Sequence, residues 1–99
     1  MLHHLVLFNL NEHSSEAHID RIYEEVEALK AKNLGIISVD RGVKSADRRS
    51  AKYDYGYMIT LTDKTARDRV LNSPEYRRIK TELLDVHTAD LFNHGFSSE

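Results

Sequence analysis

The chain has 99 residues, room for a single domain, 1–99, built on one core. Hydrophobic residues make up 40% and charged residues 30%, and 14 Lys and Arg stand against 16 Asp and Glu for a formal charge of −2. That balance holds no basic excess of the kind that marks nucleic-acid binding, and the absence of cysteine excludes disulfide scaffolds, thiolate metal sites and cysteine nucleophiles.

Residues 2–10, Leu-His-His-Leu-Val-Leu-Phe-Asn-Leu, read as a strand covered on both faces. His4, Val6, Phe8 and Leu10 share one face, and His3, Leu5, Leu7 and Asn9 the other. Ser14 and Ser15 offer N-caps to an amphipathic helix with the apolar stripe Ile19, Ile22, Tyr23, Val26 and Leu29. That helix is expected to end near Asn33 and Gly35, which both tolerate a left-handed cap. Residues 36–40 form the second strand, and Gly42 lets the chain bend or bulge. The loop after it carries Lys44, Arg48, Arg49 and Lys52, interrupted by Asp47, and reads as a solvated surface.

Residues 53–62 alternate clearly. Tyr53, Tyr55, Tyr57, Ile59 and Leu61 make a large face suited to helices; Asp54, Gly56, Met58, Thr60 and Thr62 make a small one. Asp63 caps a second helix with Ala66, Val70 and Leu71, broken at Asn72-Ser73-Pro74. Ser73 then caps a new helical stretch with Pro74 at its first position, and Tyr76, Ile79, Leu83 and Val86 keep helical spacing. Residues 91–96 end the chain as a short strand. The order β-α-β-β-α-β is the ferredoxin-like split motif, an α+β fold with a four-stranded antiparallel sheet and helices on one face. No apolar run is long enough to span a bilayer, so no membrane partner is expected and a cytoplasmic location is the default.

Two known families share this order. Leu5-Val6-Leu7-Phe8-Asn9-Leu10 resembles the first-strand signature of the RNA-recognition motif, except at Val6, where the stacking aromatic belongs. Tyr55-Gly56-Tyr57-Met58 resembles the core of its third-strand signature, but Tyr53 and Asp54 stand where a basic residue and a glycine belong. Stacking on bases and contact with phosphates both lose their residues, so no nucleic-acid partner is expected. More of the chain resembles the stress-responsive A/B barrel (Dabb) family. The features are His4-Leu5-Val6-Leu7-Phe8, the capped amphipathic helix, Gly42, Tyr53-Asp54 before the third strand, and the Ser73-Pro74-Glu75-Tyr76 break.

The resemblance spans nearly the whole chain and implies a homodimer. Two sheets would pack face to face over Gly56, Met58, Thr60, Leu5 and Leu7, as a dimeric α+β barrel. Some members resemble polyketide cyclases, with a pocket between the sheet and its own helices and a histidine base in the break of the second helical region. In this chain the base position falls on Tyr76 and the assisting tyrosine's position on Val70, both changed from the pattern, while the family's first-strand histidine is matched by His4.

The pocket is then expected to be lined by Val6, Phe8, Ile22, Tyr23, Val26, Tyr55, Tyr57, Ile79, Phe92 and His94. His4 and Tyr76 are the candidate catalytic groups, with His94 a further acid–base candidate, because imidazole alone changes charge near neutral pH unaided. The expected partners are a second copy of the chain and a small hydrophobic or aromatic molecule. An enzyme of the cyclase, isomerase or lyase kind and a barrel without catalysis both remain open. The tyrosines also read as core residues whose hydroxyls find partners, and His4 as a satisfied buried imidazole. No cofactor is expected. No metal site is expected either: His3 and His4 face opposite ways, His87, Asp90 and His94 cross a helix–strand junction, and His13 and His18 flank an exposed helix start.

Overall fold

The first strand, apolar on both faces, lies in the interior of the sheet. A computed structural model describes residues 1–33, 35–42 and 52–98. β1 (Leu2–Leu10) pairs antiparallel with β3 (Tyr55–Leu61) on one edge and with β4 (Thr88–Ser97) on the other. β2 (Ile36–Gly42) extends the sheet beyond β3, giving the order β2-β3-β1-β4. α1 (Glu16–Ala28) runs on into a 3-10 turn, Leu29–Ala31. The second helical region comprises α2 (Lys64–Leu71), α3 (Pro74–Ile79), a π-helical turn (Lys80–Leu84) and the single turn α4 (Asp85–His87). This is the ferredoxin-like arrangement.

The helices cover the face of the sheet that carries Val6, Phe8, Tyr57, Ile59 and Leu61. Ile19, Ile22, Tyr23 and Val26 meet it from α1, and Ala66, Val70, Ile79 and Leu83 from the second region. Each fully buried aliphatic or aromatic side chain contributes about 1.5–3 kcal/mol, so this one cluster holds both layers together. The helix starts are where hydroxyl and carboxylate caps place them. Asp63 Oδ1 accepts from the Ala66 amide at 2.8 Å, and Ser73 Oγ accepts from the Tyr76 amide at 3.2 Å behind Pro74. At α1 the imidazole of His18 reaches back, its Nδ1 accepting from the Ser15 amide at 3.0 Å.

Several boundaries differ from the expectations. Neither Asn33 nor Gly35 takes a left-handed cap; Asn33 Nδ2 instead donates to Leu29 O at 2.9 Å. Gly35 answers to close packing, since a Cβ there would lie 2.4 Å from the Cβ of Ala66. Among the described residues the left-handed backbone belongs to Asp90, with φ 54°. It sits where the β1–β4 register slips between Leu7 and Asn9, as an inserted residue in a bulge does. Gly42 is the last described residue of β2 and lies opposite Gly56, while the irregularity of that strand falls between Ile36 and Ser38. Tyr53 lies outside β3 and stacks on Phe92, ring centroids 6.2 Å apart, instead of facing the helices. β4 starts at Thr88, because pairing of Thr88 and Ala89 with Leu10 and Asn9 ends the helical run one residue after His87. Lys44, Asp47, Arg48 and Arg49 lie outside the described residues, while the Lys52 ammonium sits 5.6 Å from the Tyr53 ring. Among the described residues no helix is long and apolar enough to cross a membrane.

Replacing Gly35 by alanine forces the Gly35–Ala66 contact apart. Overpacking of this kind costs about 1–3 kcal/mol. A urea melt of Gly35→Ala is expected to show a lower midpoint with an unchanged slope.

Candidate functional site

Coverage of the sheet by the helices is uneven, and the unevenness makes the site. Over β2 and β3, α1 is clamped down. The Tyr23 hydroxyl donates to Gly56 O at 2.8 Å, lies 3.2 Å from Gly42 O and accepts from the Gly56 amide at 3.2 Å. The Arg41 guanidinium lies 4.2 Å above its ring. Phe8, Ile22, Val26, Tyr57 and Ile79 are buried side chain against side chain beneath, in the core. Over β1 and β4 the second helical region stands off, leaving a cavity of about 580 Å³. Its floor is His4 and Val6 from β1 with Leu91 and Asn93 from β4. Its wall is Leu71, Tyr76, Arg77, Lys80, Leu84, Asp85 and Thr88.

Local structure explains these positions. The slip at Asp90 leaves Asn93 opposite Val6, on the helix-covered face. Gly95 lies opposite His4 and carries no side chain, so the Arg67 guanidinium can pass within 3.3 Å of where a Cβ would stand. The π-helical turn changes the helix phase after Ile79, and both Leu83 and Leu84 turn inward.

His4 is 8% exposed. Its ring nitrogens have no protein hydrogen-bond partner among the described residues. Burial, and then the positive charge of Arg67, hold its pKa below the ordinary 6.5. At neutral pH the imidazole is therefore uncharged, with a lone pair free to accept a proton. Tyr76 is 7% exposed, and its hydroxyl lies 2.7 Å from that of Tyr57. Burial raises the Tyr76 pKa above 10.0, against a smaller lowering from its hydrogen bond with Tyr57. Tyr76 is thus protonated at neutral pH, with a hydrogen bond to give and no capacity as a base. Arg77 and Lys80 add positive charge and Asp85 negative charge to a wall that also carries the apolar Leu71 and Leu84 and the hydroxyls of Tyr76 and Thr88.

The structure brings His4, Val6 and Tyr76 of the expected set into this one cavity. Phe8, Ile22, Val26, Tyr57 and Ile79 are packed core instead, and Tyr23 is the clamp described above. Val70 is likewise core. Tyr55 packs at the core's margin, its hydroxyl 3.4 Å from Glu16 Oε1. Phe92 and His94 require correction. They pair with Leu7 and Leu5, so their side chains point to the opposite face of the sheet, away from the cavity. There they stack in a row with Phe96, at centroid distances of 6.2 and 6.3 Å. Leu71, Lys80, Leu84, Leu91 and Asn93 were not among the expected lining residues. Tyr76, Lys80 and Leu84 recur every four residues, a spacing visible in the sequence; the bulge and the π-helical turn leave no such trace.

A second cluster also escapes the sequence pattern. Ser14 Oγ lies 2.8 Å from His87 Nδ1, and the His87 ring stacks on His18 at 3.9 Å. Burial, then the charges of His18 and Arg21, lower the His87 pKa. Among the described residues no three His, Asp or Glu side chains converge to hold a metal ion.

The face of the sheet without helices carries Leu5, Leu7, Gly56, Met58, Phe92 and Phe96, the last two 45% and 42% exposed. His3 bridges this face, with Nδ1 3.1 Å from Thr60 Oγ1 and Nε2 2.6 Å from Ser98 Oγ.

The lowered pKa of His4 makes a signed prediction. An unfolded chain takes up a proton near pH 6.5 that the folded chain resists, so the contribution of His4 to stability is complete above about pH 6.5 and is lost as pH falls towards its folded value. His87 acts in the same direction. The thermal midpoint is expected to fall between about pH 7 and about pH 5, and to fall less in His4→Gln, as followed by circular dichroism.

Comparison with known proteins agrees with this fold. A protein of Arabidopsis thaliana is similar in structure with a TM-score of 0.88 at 13% identity, covering 100% of this chain and 96% of its own. A dimeric ferredoxin-like protein of unknown function from Jannaschia sp. is 26% identical with a TM-score of 0.75, covering 98% of both chains. A cofactor-independent oxygenase of Streptomyces nogalater is 17% identical with a TM-score of 0.78, covering 99% of this chain and 92% of its own. No match is found among curated proteins. The model of the stress responsive A/B barrel domain matches residues 2–96, and the chain belongs to that family.

Proposed function

We propose that the protein is a homodimer in which each subunit binds a small hydrophobic or aromatic molecule in the His4–Tyr76 cavity, with His4 taking a proton from it. The observation that carries this reading is the uncharged imidazole of His4, bonded to no described protein group, in one cavity with the Tyr76 phenol and the apolar Val6, Leu71, Leu84 and Leu91. Buried polar atoms are ordinarily paired with protein or ordered water; among the described residues no side-chain nitrogen or oxygen is buried without a partner, so the His4 nitrogens open onto accessible space. A volume of about 580 Å³ lies in the range of small-molecule sites. The alternative of a barrel without a ligand fits the filled half under α1, but not the gap over β1 and β4. Proton abstraction from a phenol or an enolisable carbon is a step shared by cyclase, isomerase and cofactor-independent oxygenase chemistry. The Streptomyces relative is described as an oxygenase of the last kind.

The homodimer reading is supported by the exposed Phe92 and Phe96 beside Leu5, Leu7 and Met58, and by the description of the Jannaschia relative as dimeric. Face-to-face packing of two sheets would remove that apolar surface from water. Light scattering is expected to give twice the chain mass, and a Phe92→Lys/Phe96→Lys double variant to give single chains; a wild-type protein of single-chain mass at micromolar concentration defeats the dimer.

The ligand reading is tested by a thermal-shift screen of small aromatic acids and polyketide mimics. A ligand at a hundredfold excess over its Kd adds about 2.7 kcal/mol. A shift that disappears in His4→Ala supports the assignment. Shifts that persist undiminished in His4→Ala remove His4 from the site.

A further inference from the structure

We infer that Tyr57 is a positioning residue that turns the Tyr76 hydroxyl into a donor aimed into the cavity, so that the ligand presents an oxyanion or carbonyl oxygen to Tyr76 and an acidic proton to His4. The inference rests on the ligand-binding reading of the cavity and narrows it to phenols and enolisable carbonyl compounds.

The argument concerns the direction of one hydrogen bond. A phenol has one proton to give. Tyr57 is 1% exposed, and among the described residues its hydroxyl has one partner, Tyr76, at 2.7 Å. If Tyr76 were the donor, the Tyr57 proton would be buried with no acceptor, an arrangement that native interiors avoid. If Tyr57 is the donor, both groups are satisfied: Tyr57 gives its proton, and Tyr76 accepts it. The proton of Tyr76 then has no protein acceptor among the described residues, and Tyr76 lines the cavity. A hydroxyl that accepts a hydrogen bond is also a stronger donor. In agreement, the shared hydrogen bond raises the Tyr57 pKa and lowers that of Tyr76.

Tyr57 itself does not line the cavity. It acts through Tyr76 alone, and here the chain differs from a design in which a histidine base occupies the break. Among the polar groups of the cavity, His4 is thus an uncharged acceptor and Tyr76 a directed donor, alongside Arg77, Lys80, Asp85, Thr88 and Asn93. A ligand that gives a proton to His4 gathers negative charge on a conjugated oxygen, which Tyr76 can meet. Arg77 and Lys80 favour that charge, with Asp85 opposing them.

The test uses 4-nitrophenol, which ionises, and its methyl ether 4-nitroanisole, which cannot. Binding of each to the full-length protein is followed by absorbance, which also reports the phenolate. The wild type is expected to bind both and to stabilise the phenolate form of 4-nitrophenol. Tyr57→Phe keeps the core ring and is expected to weaken 4-nitrophenol by about threefold to tenfold while leaving 4-nitroanisole unchanged. Tyr76→Phe is expected to abolish the preference, and adding Tyr57→Phe to it to have no further effect. If Tyr57→Phe weakens both probes equally, or leaves the preference intact, the positioning role is overturned while the cavity reading stands. If neither probe binds the wild type, the cavity reading fails and the inference falls with it.

Discussion

β1 is hydrogen-bonded along both edges, and side chains from its two faces go to two different destinations. A strand placed so cannot shift by one residue without exchanging Val6 and Phe8 for Leu5 and Leu7. Its register therefore determines what each neighbour presents. Through it, Tyr57 and Ile59 of β3 face the helices, and Phe92 and His94 of β4 face away. His4 enters the covered layer by the same parity, as the one histidine among apolar neighbours on the helix side of that strand.

The helical layer treats the two halves of the sheet differently for reasons of shape and chemistry. α1 is held close to β2 and β3 by the Tyr23 hydroxyl, which bonds to the backbone of Gly56 and lies 3.2 Å from Gly42 O. The second helical region is interrupted at Asn72–Pro74, continues through a π-helical turn, and crosses to β4 by way of a single turn of helix. Such a path cannot lie flush against β1 and β4. Tyr76, Lys80 and Leu84 bridge the distance and form a wall instead of a plug. Widened helical turns are often found at functional sites, and here the turn lies in the wall of the cavity.

The electrostatics of the cavity follow from that geometry. An imidazole removed from water and placed near a guanidinium is held neutral; a phenol removed from water is held protonated. Two groups whose ordinary pKa values lie well apart are pushed further apart by the same burial, which leaves the imidazole able to accept a proton and the phenol with a hydrogen bond to give. On the other face of the sheet the chemistry is different. Leu5, Leu7, Met58 and the Phe92–His94–Phe96 row form a surface suited to another flat apolar surface, with the small Gly56 at its centre.

Much of the architecture was legible in the sequence because it depends on local rules. A short apolar run gives β1, period-two alternation gives β3, helical spacing gives α1, and Asp63, Ser73 and Pro74 mark helix starts. His4 and Tyr76 could be picked out as chemically interesting in the same way. Other features depend on contacts between segments distant in the chain. The bulge at Asp90 sets the phase of β4 against β1, and β4 has no alternation strong enough to declare which face Phe92 and His94 take. Gly35 reads as a helix cap until Ala66, 31 positions later, is placed against it. The row of tyrosines does not say which hydroxyls find partners inside the core; that depends on Gly56 lying under Tyr23 and on Tyr76 meeting Tyr57. The sequence by itself determined the order of elements and the faces of its strongly patterned segments, since these rest on backbone geometry and nearest neighbours. Only the tertiary structure decided where the layer fails to close and which polar groups are left facing the gap, because packing between distant segments sets both.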